Sequence, residues 1–238
     1  MLPMELKVDN NGLFYIKDYV ENNPESLINV YNRGIPNNYF YELLSSSDYA
    51  IKCSFLPDNK DGMINMLLHL QKLQDKITNI DFPIGYYIED DDIYGQIIRF
   101  YKKAPSIAYL TQNKDINEVS KYYYHCEDSI HNLYLLLLDI LNFIEELFEN
   151  NVFYTDIHTG NFVIDNNKVK IIDFDYQYVT FNKKKSLELL KSILFNYETM
   201  IYIINKKFDL GTHVLDNPEN FKDVKIMLKQ MENSIRKR

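Results

Sequence analysis

The stretch that decides the fold covers residues 154–175 and reads YTDIHTGNFVIDNNKVKIIDFD. Asp156 is followed five residues later by Asn161, and Asp173 lies twelve residues beyond Asn161. Apolar residues and a turn separate Asn161 from Asp173, so we expect a hairpin that brings the two onto neighbouring loops. Two oxygen ligands placed in this way can share a Mg²⁺ bound to nucleotide phosphates, and Asp156 can face an acceptor hydroxyl. The spacing therefore meets the needs of phosphoryl transfer: a metal, positioning, and a carboxylate to receive the proton.

Secondary-structure patterns divide the chain into a β-rich first part and a mostly helical second part. We predict an α+β protein with two lobes in one domain: a small antiparallel sheet with one helix over residues 1–101, and a helical lobe over residues 102–238. The predicted strands cover 12–20, 39–44, 49–55, 82–88 and 94–101, with a further candidate at 27–31 and the hairpin strands at 161–164 and 169–172. The predicted helices cover 61–77, 127–149, 184–205 and 218–235.

Composition excludes several classes of protein. Of the 238 residues 46% are hydrophobic, which is enough to exclude a disordered chain. The formal net charge of −8 argues against a nucleic-acid binder. Cys53 and Cys126 form neither a metal-ligand spacing nor a disulfide framework, which is typical of a reducing compartment. The most apolar stretch, 133–141, is too short to span a bilayer, and the N-terminus lacks a signal-peptide pattern. We expect a cytoplasmic protein with neither a membrane nor a nucleic acid as partner; the sequence does not indicate an oligomeric state.

Four motifs, in this order, resemble those of the protein-kinase-like superfamily. Tyr49-Ala50-Ile51-Lys52 is similar to the V-A-I-K strand, and residues 97–101 resemble the last strand that leads into the hinge. Residues 156–161 match the D-x-x-x-x-N catalytic loop, and Asp173-Phe174-Asp175 stands where D-F-G would be. The resemblance covers most of the chain and implies a bilobal protein-kinase-like fold.

The resemblance also implies roles for individual residues. Lys52 would hold the α- and β-phosphates of ATP, and Asp156 would orient or deprotonate the acceptor hydroxyl. Asn161 and Asp173 would hold Mg²⁺. The remaining nucleotide contacts, with adenine between two apolar side chains and against the hinge backbone, would come from Ala50, Val163, Phe100, Tyr101, Ile172 and Gly34.

The finer match is to one branch of this superfamily. D-I-H-T-G-N at 156–161 is similar to the D-x-H-x-x-N loop of aminoglycoside and choline phosphotransferases, and I-D-F-D at 172–175 resembles their I-D-F-E/D. His158 would then take the place of the lysine near the γ-phosphate and belong to the catalytic set. The arginine of H-R-D is absent, so we do not expect regulation by activation-loop phosphorylation. The compact length resembles that of kinase-like proteins of bacteria or phages.

Two functions stay open at this point. The first is an ATP- and Mg²⁺-dependent kinase that phosphorylates a protein Ser/Thr or a small molecule, and the sequence does not choose between these acceptors. The alternative is a catalytically impaired pseudokinase that serves as a nucleotide-binding or scaffolding module. Two features favour the alternative: only Gly34 lies where a Gly-rich loop is expected, and the helix predicted at 61–77 contains no glutamate to pair with Lys52.

Overall fold

The structure, a computed structural model, describes residues 7–17, 39–42, 48–53, 60–77, 80–89, 92–211 and 218–237. The chain divides into two units. The first contains Met1–Lys102 together with Phe174–Tyr176, and the second contains Lys103–Asp173 and Gln177–Arg238. The expected strand at 27–31 lies outside the described residues.

A six-stranded sheet forms the framework of the first unit, with strand order β1-β2-β5-β6-β4-β3. Its strands are β1 (Lys7–Val8), β2 (Phe14–Lys17), β3 (Tyr39–Glu42), β4 (Tyr49–Cys53), β5 (Gly85–Glu89) and β6 (Asp92–Arg99). The β3–β4 hairpin expected from the sequence is present. The sheet is antiparallel apart from the β2–β5 pair, which is parallel. Gly85 permits this pairing, since a Cβ there would lie 1.9 Å from the carbonyl oxygen of Phe14.

Strand β4 presents different residues on its two faces, because side chains alternate along a strand. Ile51 and Cys53 pack into a buried cluster with Ile16, Tyr87 and Ile97. The opposite face of β4 therefore carries Ala50 and Lys52.

The helix of the first unit, α1, covers Lys60–Leu73 and is shorter than the expected 61–77. Five apolar side chains of α1 are buried: Met63, Met66, Leu67, Leu70 and Leu73. Beyond Leu73 the Gln74 side chain donates to the carbonyl of Ile80 (2.7 Å) and accepts from the amide of Phe82 (3.0 Å). These two bonds hold residues 80–82 beside the end of the helix.

The second unit combines helices with two two-stranded sheets. Helix α4 begins after Asp128, whose carboxylate accepts from the amides of Ile130 (2.9 Å) and His131 (3.1 Å). The helices are α2 (Ile107–Leu110), α3 (Asn117–Tyr122), α4 (Ser129–Glu149), α5 (Ser186–Lys207) and α6 (Phe221–Arg236), and the strands are β7 (Phe153–Tyr154), β8 (Phe162–Asp165), β9 (Lys168–Ile171) and β10 (Val179–Thr180). In the described parts of the chain, we find no helix with both the length and the apolarity that crossing a membrane requires.

Helix α6 is joined to the start of α4 by a buried carboxylate. The Glu232 side chain is 1% exposed and lies 2.7 Å from His131 Nδ1, 2.6 Å from Lys229 Nζ and 3.0 Å from Arg236 Nη2. Burial by itself raises the pKa of Glu232, but the bonds from Lys229 and His131 and the charges of Lys229 and Arg236 outweigh burial and lower it. Arg236 Nη2 also lies 2.6 Å from Asp128 Oδ2, the residue that caps α4.

We expect Glu232→Gln to lower the free energy of unfolding at pH 7 by about 1.5–3 kcal/mol, the value of a hydrogen bond to a charged group. Since folding depresses the pKa of Glu232, its contribution is complete above the ordinary value of 4.5 and is lost as the pH falls through the folded-state pKa. The difference in unfolding free energy between parent and variant should therefore narrow as the pH falls below 4.5. Urea denaturation at pH 7 and pH 3.5 measures it, with Glu127→Gln, an exposed site, as the control. An equal gap at both pH values would contradict this assignment.

Candidate functional site

The loop that carries Asp156 starts from a well-anchored strand. β7 pairs antiparallel with β10, and the amide of Thr155 donates to the carbonyl of Tyr178 (3.0 Å). From α5, the Asn196 side chain donates to the carbonyl of Thr155 (2.6 Å). The backbone just before Asp156 is thus held from two sides.

Asn161 connects the two ends of this loop. Its side chain is almost completely buried, and Nδ2 lies 2.9 Å from the Tyr154 hydroxyl, 2.9 Å from the Asp156 carbonyl and 2.8 Å from Asp156 Oδ2. These contacts fix the orientation of the amide, because its two hydrogens are shared by three acceptor oxygens. The carbonyl oxygen Oδ1 is the atom of this side chain that remains suited to a cation.

The hairpin expected from the sequence brings Asp173 to the same end as Asn161. β8 and β9 pair antiparallel with Phe162 opposite Ile171. The amide of Ile172 then donates to the carbonyl of Asn161 (3.0 Å), which extends the pairing by one residue and leaves Asp173 next along the chain. The strands are shifted by one residue from the expected bounds because Asn166 and Asn167 form the turn with φ of 48° and 63°.

His158 lies beside the Asp156 carboxylate. Its Nε2 is 3.6 Å from Asp156 Oδ1, and the two side chains are 46% and 24% exposed. The amide of Gly160 donates to His158 Nδ1 (3.1 Å), so Nδ1 acts as an acceptor and the proton of the neutral ring belongs on Nε2. In this tautomer Nε2 is the ring nitrogen that can donate a hydrogen bond.

The oxygen donors at the end of the hairpin fit Mg²⁺. Asn161 supplies a side-chain carbonyl and Asp173 a half-buried carboxylate, both of them the hard ligands that Mg²⁺ prefers. The described part of the chain contains no group of three or more His, Cys, Asp or Glu that could hold a metal by itself. Two protein ligands suit a Mg²⁺ that takes its other ligands from substrate phosphates and water.

The first unit contains Lys52 together with a partner that sequence reasoning missed. Lys52 Nζ lies 2.8 Å from Asp175 Oδ2, and the two side chains are 17% and 13% exposed. In the sequence, Asp175 is the third residue of the D-F-D triplet, and its sole signal is an acidic residue where the similar D-F-G motif has glycine. Gln71 of α1 and Gln74, just beyond it, bind backbone atoms between Ile80 and Pro83.

The other predicted nucleotide contacts are distributed over both units. In the first unit, Ala50 is buried on β4, and Phe100 and Tyr101 follow β6. The amide of Phe100 already donates to the carbonyl of Asp48 (2.9 Å), and the Tyr101 hydroxyl donates to Asp81.

In the second unit, Val163 is buried on β8 and Ile172 is half-buried just after β9.

Among the predicted catalytic and metal-binding residues, the structure brings Asp156, His158 and Asn161 together and orders the chain up to Asp173. Gly34 lies outside the described residues.

Comparison with known proteins gives the fold. No family model matches the chain, and no curated protein matches it. Among solved structures, the crystal structure of the BubR1 kinase domain matches over 85% of this chain and 81% of that chain, with a TM-score of 0.52 and 12% sequence identity. The chain therefore has a protein-kinase-like fold, as the order of its motifs predicted.

The bond from Gly160 predicts which nitrogen of the neutral His158 ring carries the proton. In imidazole ¹H–¹⁵N correlation spectra, we expect the neutral ring of His158 to carry its proton on Nε2 and none on Nδ1. Signals absent from the spectrum of His158→Gln assign the ring. A neutral ring with its proton on Nδ1 would contradict the loop geometry.

Proposed function

We propose that this protein is a Mg²⁺-dependent phosphotransferase that binds ATP and moves its γ-phosphoryl group to a hydroxyl. The observation that carries the proposal is Asn161, whose buried amide binds Asp156 while its backbone pairs with the residue before Asp173. One residue thus ties the proposed proton acceptor to the proposed metal site. The protein-kinase-like fold supports the same reading.

The role of Asp156 follows from its environment. Asn161 Nδ2 donates to Oδ2, which orients the carboxylate, and the side chain keeps enough exposure to meet an acceptor. As the acceptor oxygen bonds to the γ-phosphorus, its proton passes to Asp156, and the bond from phosphorus to the β–γ bridging oxygen breaks to release ADP. His158 Nε2–H is suited to donate a hydrogen bond to the transferring group.

Asn161 and Asp173 would hold Mg²⁺, and Lys52 would contact the α- and β-phosphates. When bound, the metal supplies charge neutralisation on the phosphate oxygens. The adenine contacts of Ala50 and Val163 remain predictions, as does a contact from Gly34. The amide of Phe100 already donates to the carbonyl of Asp48, so a contact between adenine and the Phe100 backbone would use another backbone atom.

The sequence of the loop at 156–161 is the basis for the class of acceptor that we propose. D-I-H-T-G-N is similar to the loop of aminoglycoside and choline phosphotransferases, which favours a small-molecule alcohol. A protein Ser/Thr is the other candidate. Incubation with γ-labelled ATP in the presence of host lysate, followed by mass spectrometry of the labelled species, distinguishes them.

Mg·ATP should stabilise the protein, and Asp173→Asn should remove most of that effect. Ligand at one hundred times Kd adds about 2.7 kcal/mol, and for a chain of this size this corresponds to about 5–10 °C in Tm. Thermal melts with Mg·ATP, with ATP and EDTA, and with Asp165→Asn from the same hairpin as control measure it. An unchanged melting curve of the parent protein at several millimolar Mg·ATP would contradict nucleotide binding.

Asp156→Asn should leave Mg·ATP affinity nearly intact and lower turnover by about 10²–10⁴-fold, because asparagine cannot accept the proton. Turnover of ATP and nucleotide-induced shifts in Tm, measured on the same preparation, separate the two effects. If the parent binds Mg·ATP but turns over none, the pseudokinase alternative holds. A variant that retains the turnover rate of the parent would remove Asp156 from the catalytic role.

A further inference from the structure

We propose that Asp175 is the positioning residue for Lys52, in place of an acidic residue from helix α1. This inference rests on the proposed binding of ATP phosphates by Lys52 and names the group that holds the ammonium in place. It starts from the 2.8 Å pair between Lys52 Nζ and Asp175 Oδ2.

The Lys52–Asp175 pair lies where a charged group needs a partner of opposite charge. Both side chains are largely buried, and a buried ammonium without an anion is strongly disfavoured. A lysine side chain also has four flexible bonds, so a fixed anion limits where its nitrogen can lie. The Asp175 carboxylate is therefore placed to hold Lys52 in one conformation.

The backbone that carries Asp175 is itself fixed on the same sheet. Lys52 on β4 lies directly opposite Gln96 on β6, and directly opposed side chains share one face of a sheet. The buried Gln96 Nε2 donates to the carbonyl of Phe174 (3.1 Å), and the Phe174 ring packs against Phe82 with centroids 5.2 Å apart. Two neighbouring side chains of the sheet thus hold two consecutive residues, Phe174 and Asp175.

Helix α1 is not equipped for this role. Its only acidic residue is Asp61, which is exposed in the first turn, and Asp75, just beyond the helix, is also exposed. The glutamines at its end are bound to the backbone of the following segment. The anion for Lys52 instead comes from the segment that begins two residues after Asp173. Along the chain, this carboxylate follows the proposed metal ligand Asp173 by only two residues.

The test uses Asp175→Asn, which keeps the size and the acceptor oxygen but removes the charge, and Asp175→Glu, which keeps the charge. Binding of Mg·ATP, Mg·ADP and adenosine is measured for each, together with turnover of ATP. We expect Asp175→Asn to weaken Mg·ATP and Mg·ADP about tenfold or more and to leave adenosine affinity unchanged, because only the phosphates sense Lys52. Asp175→Glu should recover part of the loss.

Two further variants sharpen the result. Lys52→Met should lower Mg·ATP affinity, and adding Asp175→Asn to it should lower the affinity little further, since residues that act as a unit are not additive. Asp48→Asn removes the same charge from an exposed pair with Arg99 in the same unit and should behave as the parent does.

The possible outcomes distinguish the role of Asp175 from the proposed binding of nucleotide. If the parent binds Mg·ATP and Asp175→Asn binds it equally well, the role of Asp175 is wrong and the proposed function stands. If Asp175→Asn binds Mg·ATP more tightly, the carboxylate competes with the phosphates, and the positioning role is again wrong. Equal weakening of adenosine and Mg·ATP would indicate a structural role only. If the parent binds no nucleotide, the proposed function fails and the role of Asp175 fails with it.

Discussion

The hydrogen bonds of Asn161 hold together the segments on which the proposed chemistry depends. Its side-chain Nδ2 contacts the Tyr154 hydroxyl and two oxygens of Asp156, and its backbone carbonyl accepts from the amide of Ile172. A buried amide left without partners costs about 1–3 kcal/mol. Strand β7, the loop and the end of the hairpin are therefore held in positions that satisfy Asn161. The orientation of Asp156 and the position of the chain that leads to Asp173 therefore both depend on Asn161.

A second constraint acts on the sheet of the first unit. Alternation along β4 buries Ile51 and Cys53 in the core on one face and leaves Lys52 with Gln96 on the other. A mostly buried ammonium needs an anion and a buried amide needs an acceptor, and residues Phe174 and Asp175 supply both. This is the physical reason why the three residues after Asp173 belong to the first unit although the chain around them belongs to the second.

Much of the fold followed from local patterns. Helical periodicity predicted α4, α5 and α6, and their actual starts are shifted by a few residues because Asp128 and Asn220 cap α4 and α6. The hairpin between Asn161 and Asp173 followed from its turn residues. The parallel pairing of β2 with β5 did not follow from local patterns, since it joins strands far apart in the chain and requires a residue without a Cβ at Gly85. Of the residues to which we assign a role, the sequence indicated Lys52, Asp156, His158, Asn161 and Asp173, and it overlooked Asp175.

The sequence by itself indicated the longer strands and helices and the spacing of Asp156, Asn161 and Asp173, and hence the kinase-like fold, because these depend on residues close together in the chain. It did not indicate the short elements β1, β7, β10, α2 and α3. Only the tertiary structure decided the partner of Lys52, the orientation of the Asn161 amide and the tautomer of His158. Each of these depends on which donor meets which acceptor once the chain has folded. Residue type gives the capacity to donate or accept, but burial and geometry select the partner.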